Sequence, residues 1–275
     1  MRLSRPPDWL IYAAVVLGLA AFAMADRERA DAPPAPPPVS GLDAALTAGP
    51  TLMGDSVRSL PGAGRSPGVG TAFSVSDTGV WITARQVVAG CRRAAVLVAS
   101  GRGVLAKVFI DPSSDLAVLV TEGGTAPLPL ALDVQPAKGQ RGYQPGYPRG
   151  GPGETTSRLL GHDSLRPWSR DAPRQAVLVW AEVGRTEALK GGLAGQAGAP
   201  VLDRMGRVIG VTLAEAPRRG RIYSAPPQAI RAILTRSGQA PSGFAQGLTL
   251  TTDNYGRAAD DLRRNLRVVQ AACVG

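Results

Sequence analysis

The residues able to do chemistry in this chain are few. It contains one histidine, His162, and two cysteines, Cys91 and Cys273. A zinc site draws three or four His, Cys or carboxylate ligands at short spacing, and nothing here has that pattern, so no metal site is expected. The glycines of residues 63–68 are too irregular for a dinucleotide fingerprint and no helix follows them, so no cofactor is expected either. The stretch with the strongest chemical character is a backbone one: Gly191–Leu213, GGLAGQAGAPVLDRMGRVIGVTL. Its centre, Gly195-Gln196-Ala197-Gly198-Ala199-Pro200, feeds Val201-Leu202, a turn at Asp203–Gly206 and a strand at Arg207–Leu213. Glycine tolerates the positive φ that such a bend needs, and the bend can turn successive N–H groups outward toward an oxygen ligand. His162, in GHDSLRPW, reads as an exposed loop histidine, and Cys91 as a disulfide partner or buried thiol rather than a nucleophile.

These residues need a scaffold, and the composition supports an all-β one. The chain has 275 residues, 44% of them hydrophobic, with 34 Gly and 24 Pro, enough for one sizeable domain with many turns plus tails. Short strands separated by turn signals read at Thr71–Ser76, Val80–Thr83, Ala94–Ala99, Val104–Ile110, Leu116–Val120, Thr155–Leu160, Ala176–Glu182, Ala199–Leu202, Arg207–Leu213 and Arg221–Ser224. That spacing predicts a sandwich or a pair of barrels. Ala84–Gly90 can form one helical turn, and Gly123–Pro152 reads as a Gly/Pro-rich crossing. Pro227–Thr235 and Ala258–Arg264 have helical spacing, and Leu266–Val274 reads as a strand.

The N-terminus reads differently. Arg2 and Arg5 precede an uncharged, mostly apolar run from Trp9 to Ala25, after which charges resume at Asp26. Residues 1–25 are therefore expected to be a signal anchor, or a signal peptide cleaved after Ala23-Met24-Ala25. Positive charge before the apolar run favours an inner-membrane, single-pass anchor through residues 9–25 with the domain in the periplasm of a bacterium. Residues 26–69, including DAPPAPPP at Asp31–Pro38, form a Pro/Gly-rich linker. Two cysteines in an exported chain suggest one disulfide. The net charge of +10 favours anionic surroundings such as acidic lipid or cell-wall polymer, but with 5% aromatic residues and no nucleic-acid motif, no nucleic-acid partner is expected. The oligomeric state is left open.

Three segments, in order, resemble the trypsin-like serine proteases and especially their HtrA-like branch. They are GVGTAFSVSDTGVWITARQVVAGC (residues 68–91), DPSSDLAVLV (Asp111–Val120) and the Gly195–Pro200 bend, which is similar to the family's GxSGxP nucleophile loop. The resemblance covers roughly residues 68–237 and implies two six-stranded β-barrels over residues 70–238, with an N-terminal hydrophobic helix and short C-terminal helices. It places Gln86 at the family's histidine, Asp115 at its aspartate and Ala197 at its serine. Gly195, Gln196 and Ala197 fall at the oxyanion hole. Gly191, Val211, Thr212 and Leu213 border a small apolar peptide pocket. The tail, 239–275, is expected to supply a strand missing from the first barrel, which would bring Cys273 to Cys91 as a disulfide.

Two of the three triad positions cannot perform the family's chemistry. Ala197 has no hydroxyl to attack a carbonyl, and the Gln86 carboxamide cannot take a proton near neutral pH. Loss of nucleophile or base in such a triad costs about a millionfold in turnover. A Gln86–Asp115 hydrogen bond would stand in for the family's His–Asp pair. The expectation is a tethered pseudoprotease that binds a peptide or protein in the cell envelope. Its alternatives are a serine-type endopeptidase working through other groups, and a basic envelope protein that holds anionic lipid or polymer.

Overall fold

The computed structural model describes residues 9, 13–18, 58–59, 69–99, 101–165, 174–186, 189 and 191–274. Most of the expected anchor and most of the linker lie outside the described residues; within the anchor, residues 13–18 are helical. Among the described residues no helix is long and apolar enough to cross a membrane.

The first half of the chain forms β1 (Arg58–Ser59), β2 (Val69–Ser76), β3 (Val80–Ala84), the short helix α1 (Arg85–Val88), β4 (Arg93–Ala99), β5 (Arg102–Ile110) and β6 (Leu116–Thr121). The second half forms β7 (Arg141–Gly146), β8 (Gly153–Leu165), β9 (Gln175–Arg185), β10 (Pro200–Leu202), β11 (Val208–Ala216), β12 (Arg221–Ala225), helices α2 (Pro227–Arg236) and α3 (Tyr255–Arg264), and β13 (Val268–Val274). Two closed antiparallel barrels result. One runs β2-β3-β6-β5-β4-β13, with β1 added against β5; the other runs β7-β8-β9-β12-β11-β10. Closure removes the open edges that would otherwise be left to pair with other chains.

The terminal strand β13 lies between β2 and β4, with Gln270 opposite Thr71 on one side and Leu97 on the other. A Cys91–Cys273 disulfide ties this strand to the end of α1, with a Cα–Cα separation of 5.3 Å, inside the range a disulfide spans. In β2 every residue after Val69 is buried. The strand does not alternate because its outward face is covered by the second barrel: Thr71 N–H donates to Ala197 O at 2.8 Å, and Thr71 Oγ1 to Gly195 O at 2.8 Å.

Strand β7 occupies part of the stretch expected to be a strandless crossing. Gly142, Pro145 and Gly146 hide it from a propensity reading, but pairing with β8 along its whole length and with β10 at Tyr143 overrides them. His162 likewise sits within β8, opposite Leu178, not in a loop, and its side chain is exposed.

Two ion-pair systems fix the elements around the cleft. Helix α2 buries Ile230, Ile233 and Leu234, at i, i+3 and i+4 spacing, and packs on both β6 and β11. Its last residue, Arg236, reaches fully buried Asp111 at 2.6 Å, and Ser114 Oγ donates to the same carboxylate at 2.5 Å. Burial alone would raise the Asp111 carboxyl; hydrogen bonds from Arg236, Ser114 and Ser113 outweigh it and hold the carboxyl below its ordinary value. Helix α3 buries Arg263, which meets Asp260 at 2.5 Å and Glu154 at 3.0 Å and donates to Gly153 O at 3.2 Å. Arg263 thus holds the base of the β7–β8 hairpin.

Candidate functional site

Helix α1 starts where β3 ends, so its second residue, Gln86, emerges at the mouth of the groove between the barrels. Arg85 N–H donates to Asp115 O at 2.8 Å, which places Asp115, just before β6, against the start of α1. From the second barrel, the bend at 191–199 brings Ala197 to the same groove, where Gln86 and Ala197 line one cavity of about 250 Å³. Leu193, Ala194, Gly195, Gln196, Thr212, Leu213, Ala214, Glu215 and Ile222 complete its wall.

The bend is over-determined by sterics. Gly198 has φ +87°, and a Cβ there would fall 1.9 Å from Thr71 O; Gly195 has φ +96°, and a Cβ there would fall 2.5 Å from Tyr147 O. No other residue fits either place. The orientation of the N–H groups follows from where the carbonyls go. Ala194 O accepts from Arg149 N–H, in the turn after β7, and Gln196 O accepts from Ala199 N–H at 2.9 Å. Across a trans peptide the N–H points opposite to the C=O. The N–H groups of Gly195 and Ala197 are therefore turned away from those partners, and among the described residues neither has an acceptor. The N–H of Gln196 donates to Leu193 O at 2.8 Å, so of the three N–H groups expected at an oxyanion hole two are available and the middle one closes the turn. The Gln196 side chain is buried and ties the bend to β7 through Gln144 O at 2.6 Å.

Gln86 and Asp115 do not form the expected direct pair. Gln86 Nε2 donates across the groove to Leu213 O at 2.9 Å. The Asp115 carboxylate accepts from Gln175 Nε2 at 2.8 Å, while Asp115 N–H donates to Gln175 Oε1 at 2.9 Å. Gln175 stands at the first position of β9, so a residue of the second barrel takes the aspartate that, in the family pattern, orients the base. Sequence reasoning missed Gln175, because a glutamine 60 residues away carries no local signal of its contact. It also missed Arg149, whose positive φ of 55° sets its N–H toward Ala194.

Of the expected pocket residues, Thr212 and Leu213 line the cavity. Val211 is fully buried in the barrel core, and Gly191 lies outside, its carbonyl held by Arg185 Nη1 at 2.6 Å. The cavity wall also carries Glu215, whose Oε1 accepts from Leu193 N–H at 2.5 Å. Burial pushes the Glu215 carboxyl above its ordinary value, against the lowering effects of that hydrogen bond and of Arg185. Thr212 Oγ1 is buried with no hydrogen-bond partner among the described residues. Among the described residues there is no cluster of His, Cys, Asp or Glu able to hold a metal ion.

Two closed six-stranded barrels, with a glycine-bent loop facing a short helix and an aspartate across their junction, define the chymotrypsin-like fold. The sequence matches the trypsin-like peptidase domain over residues 70–211, and the chain belongs to that family. In structure it is similar to the Rv3671c protease of M. tuberculosis. Against an inactive serine-to-alanine mutant it is 23% identical, covering 76% of this chain and 99% of that one, with a TM-score of 0.51. Against the active form it is 21% identical, covering 79% and 96%, with a TM-score of 0.51. The HtrA-type protease AlgW, in a structure with a decapeptide, is 21% identical over 62% of this chain and 52% of that one, with a TM-score of 0.46. No curated protein matches the sequence significantly.

Proposed function

We propose that the protein is a pseudoprotease that holds a peptide or protein segment in the groove between its barrels without cutting it. One observation carries the reading: Ala197 and Gln86, which the family resemblance puts at the nucleophile and the base, line one cavity, and the Gly195 and Ala197 N–H groups beside them have no acceptor among the described residues. Those N–H groups still suit a peptide oxygen. With no hydroxyl at 197 and no proton acceptor at 86, a bound peptide meets binding groups and no reacting ones. The apolar run at residues 9–25 supports tethering to the bacterial inner membrane, with the groove facing the periplasm.

The test is paired. The purified protein is exposed to a fluorescent fluorophosphonate and, separately, to immobilised unfolded casein. The expected result is no covalent label, with casein retained and recovered intact. Labelling, or cleavage that persists through repurification and is lost on Asp115→Asn, would replace this reading with an active endopeptidase. Failure to retain casein or any extended peptide would remove the binding role.

A further inference from the structure

We infer that the groove is specific for chain ends: it captures the free C-terminal carboxylate of a peptide or protein whose last side chain is apolar. This rests on the peptide-binding reading above and narrows it.

The argument is a count of donors and acceptors. Gly195 N–H and Ala197 N–H border the cavity without acceptors among the described residues. Gln86 Nε2 carries two hydrogens and donates to one acceptor, Leu213 O at 2.9 Å, which leaves it a second donor on the same cavity. In a working triad the space beside these donors holds a hydroxyl oxygen with lone pairs and a neutral imidazole nitrogen that accepts a proton. Here that space holds a methyl group and a carboxamide. Removing the hydroxyl lone pairs takes away repulsion against a second ligand oxygen.

An internal peptide carbonyl offers one neutral oxygen, whereas a terminal carboxylate offers two that share a negative charge. Hydrogen bonds to an ionised acceptor are roughly twice as strong as neutral ones, and backbone N–H groups are a known means of capturing terminal carboxylates. One oxygen fits the Gly195 and Ala197 donors; the other fits the free hydrogen of Gln86. Among the described residues Glu215 is the one carboxylate on the cavity wall, and it accepts from Leu193 N–H with the charge of Arg185 acting to lower its pKa. Leu193, Leu213, Ala214 and Ile222 supply an apolar wall for the last side chain, and a volume of about 250 Å³ suits a residue of modest size.

The probes are two acetylated hexapeptide libraries, randomised at five positions and ending in valine. They are identical except that one ends in a free carboxylate and the other in a carboxamide. Retention by the immobilised protein is read by mass spectrometry. The carboxylate library should be retained at least about tenfold better, the scale of one charge-assisted contact. Gln86→Leu should reduce retention of the acids severalfold more than retention of the amides, a difference that a purely structural role would not produce. Ala197→Asp places a like charge at the site and should abolish acid binding, with the thermal transition recorded to show that the variant is folded. Equal retention of acids and amides overturns the chain-end inference and leaves the peptide-binding reading standing. Retention of neither overturns both.

Discussion

Installing a histidine at 86 and a serine at 197 should yield a weak peptidase, and removing Gln175 as well should make it a better one. In the structure the Asp115 carboxylate accepts from Gln175 Nε2 at 2.8 Å, and Asp115 N–H returns a bond to Gln175 Oε1 at 2.9 Å. An imidazole introduced at 86 needs that carboxylate to fix its tautomer and orientation. It must therefore compete with Gln175 for it. A hydrogen bond to a charged group contributes about 1.5–3 kcal/mol, and 1.4 kcal/mol is a factor of ten in population. The oriented imidazole should thus be under-populated by between about tenfold and a hundredfold in Gln86→His/Ala197→Ser. The triple variant with Gln175→Ala should exceed the double variant in kcat by that factor, with KM for a fluorogenic peptide little changed. Its cost is the stranded Asp115 N–H, about 1 kcal/mol of stability, visible as a small drop in Tm. Equal kcat for the double and triple variants would refute the reasoning, because Gln175 would then not limit the aspartate. A triple variant with no cleavage and no fluorophosphonate labelling would refute the claim that the loop at 195–197 is still set for acyl transfer.

The remaining predictions concern stability. Breaking the Cys91–Cys273 disulfide by Cys91→Ser/Cys273→Ser releases a loop of 182 residues; the chain-entropy relation gives on the order of 5 kcal/mol of lost stability, read as a lowered urea midpoint. A change under about 1 kcal/mol would mean that strand pairing alone holds β13. Glu154 is buried and shares the single cation of Arg263 with Asp260, so burial pushes its carboxyl up to about 7. Its folded pKa lies above the unfolded one, so the folded state binds more protons between about pH 4.3 and 7, and stability should fall as pH rises through that window. Glu154→Gln should flatten this part of the urea-midpoint profile, and an unaltered slope would show that another group sets it. Arg263→Met should destabilise the fold by roughly 3 kcal/mol by leaving two carboxylates buried without their cation. A shift within about 0.5 kcal/mol would place the pair among surface-like contacts.

How much was legible in the sequence depends on whether the signal was local. The all-β character was legible because β-branched and apolar runs such as VWIT and LAVLV alternate with glycine turns at strand-length spacing; that pattern allowed a sandwich or a pair of barrels, and the resemblance to the trypsin-like family chose the barrels. β7 was not: Gly142, Pro145 and Gly146 argue against a strand, and only pairing with β8 and β10 makes it one. The glycines of the bend were readable as a backbone device, but which N–H groups stay available was not. That depends on Arg149 reaching Ala194 O and on Gln196 N–H being consumed by Leu193 O. The direct Gln86–Asp115 pair expected from position alone is absent, since each side chain found a partner on the opposite barrel.

What the residues alone decided is the chemistry that positions 86 and 197 cannot supply. A methyl group at 197 and a carboxamide at 86 lack a nucleophile and a base in any fold, because those properties belong to functional groups and need no neighbours. What only the tertiary structure decided is the chemistry that remains. Whether a backbone N–H faces a ligand or an internal carbonyl depends on peptide-plane orientation. In this protein that orientation is fixed by contacts from Arg149 to the 194–195 peptide and from Thr71 to the 195–197 bend, made between segments far apart in the chain.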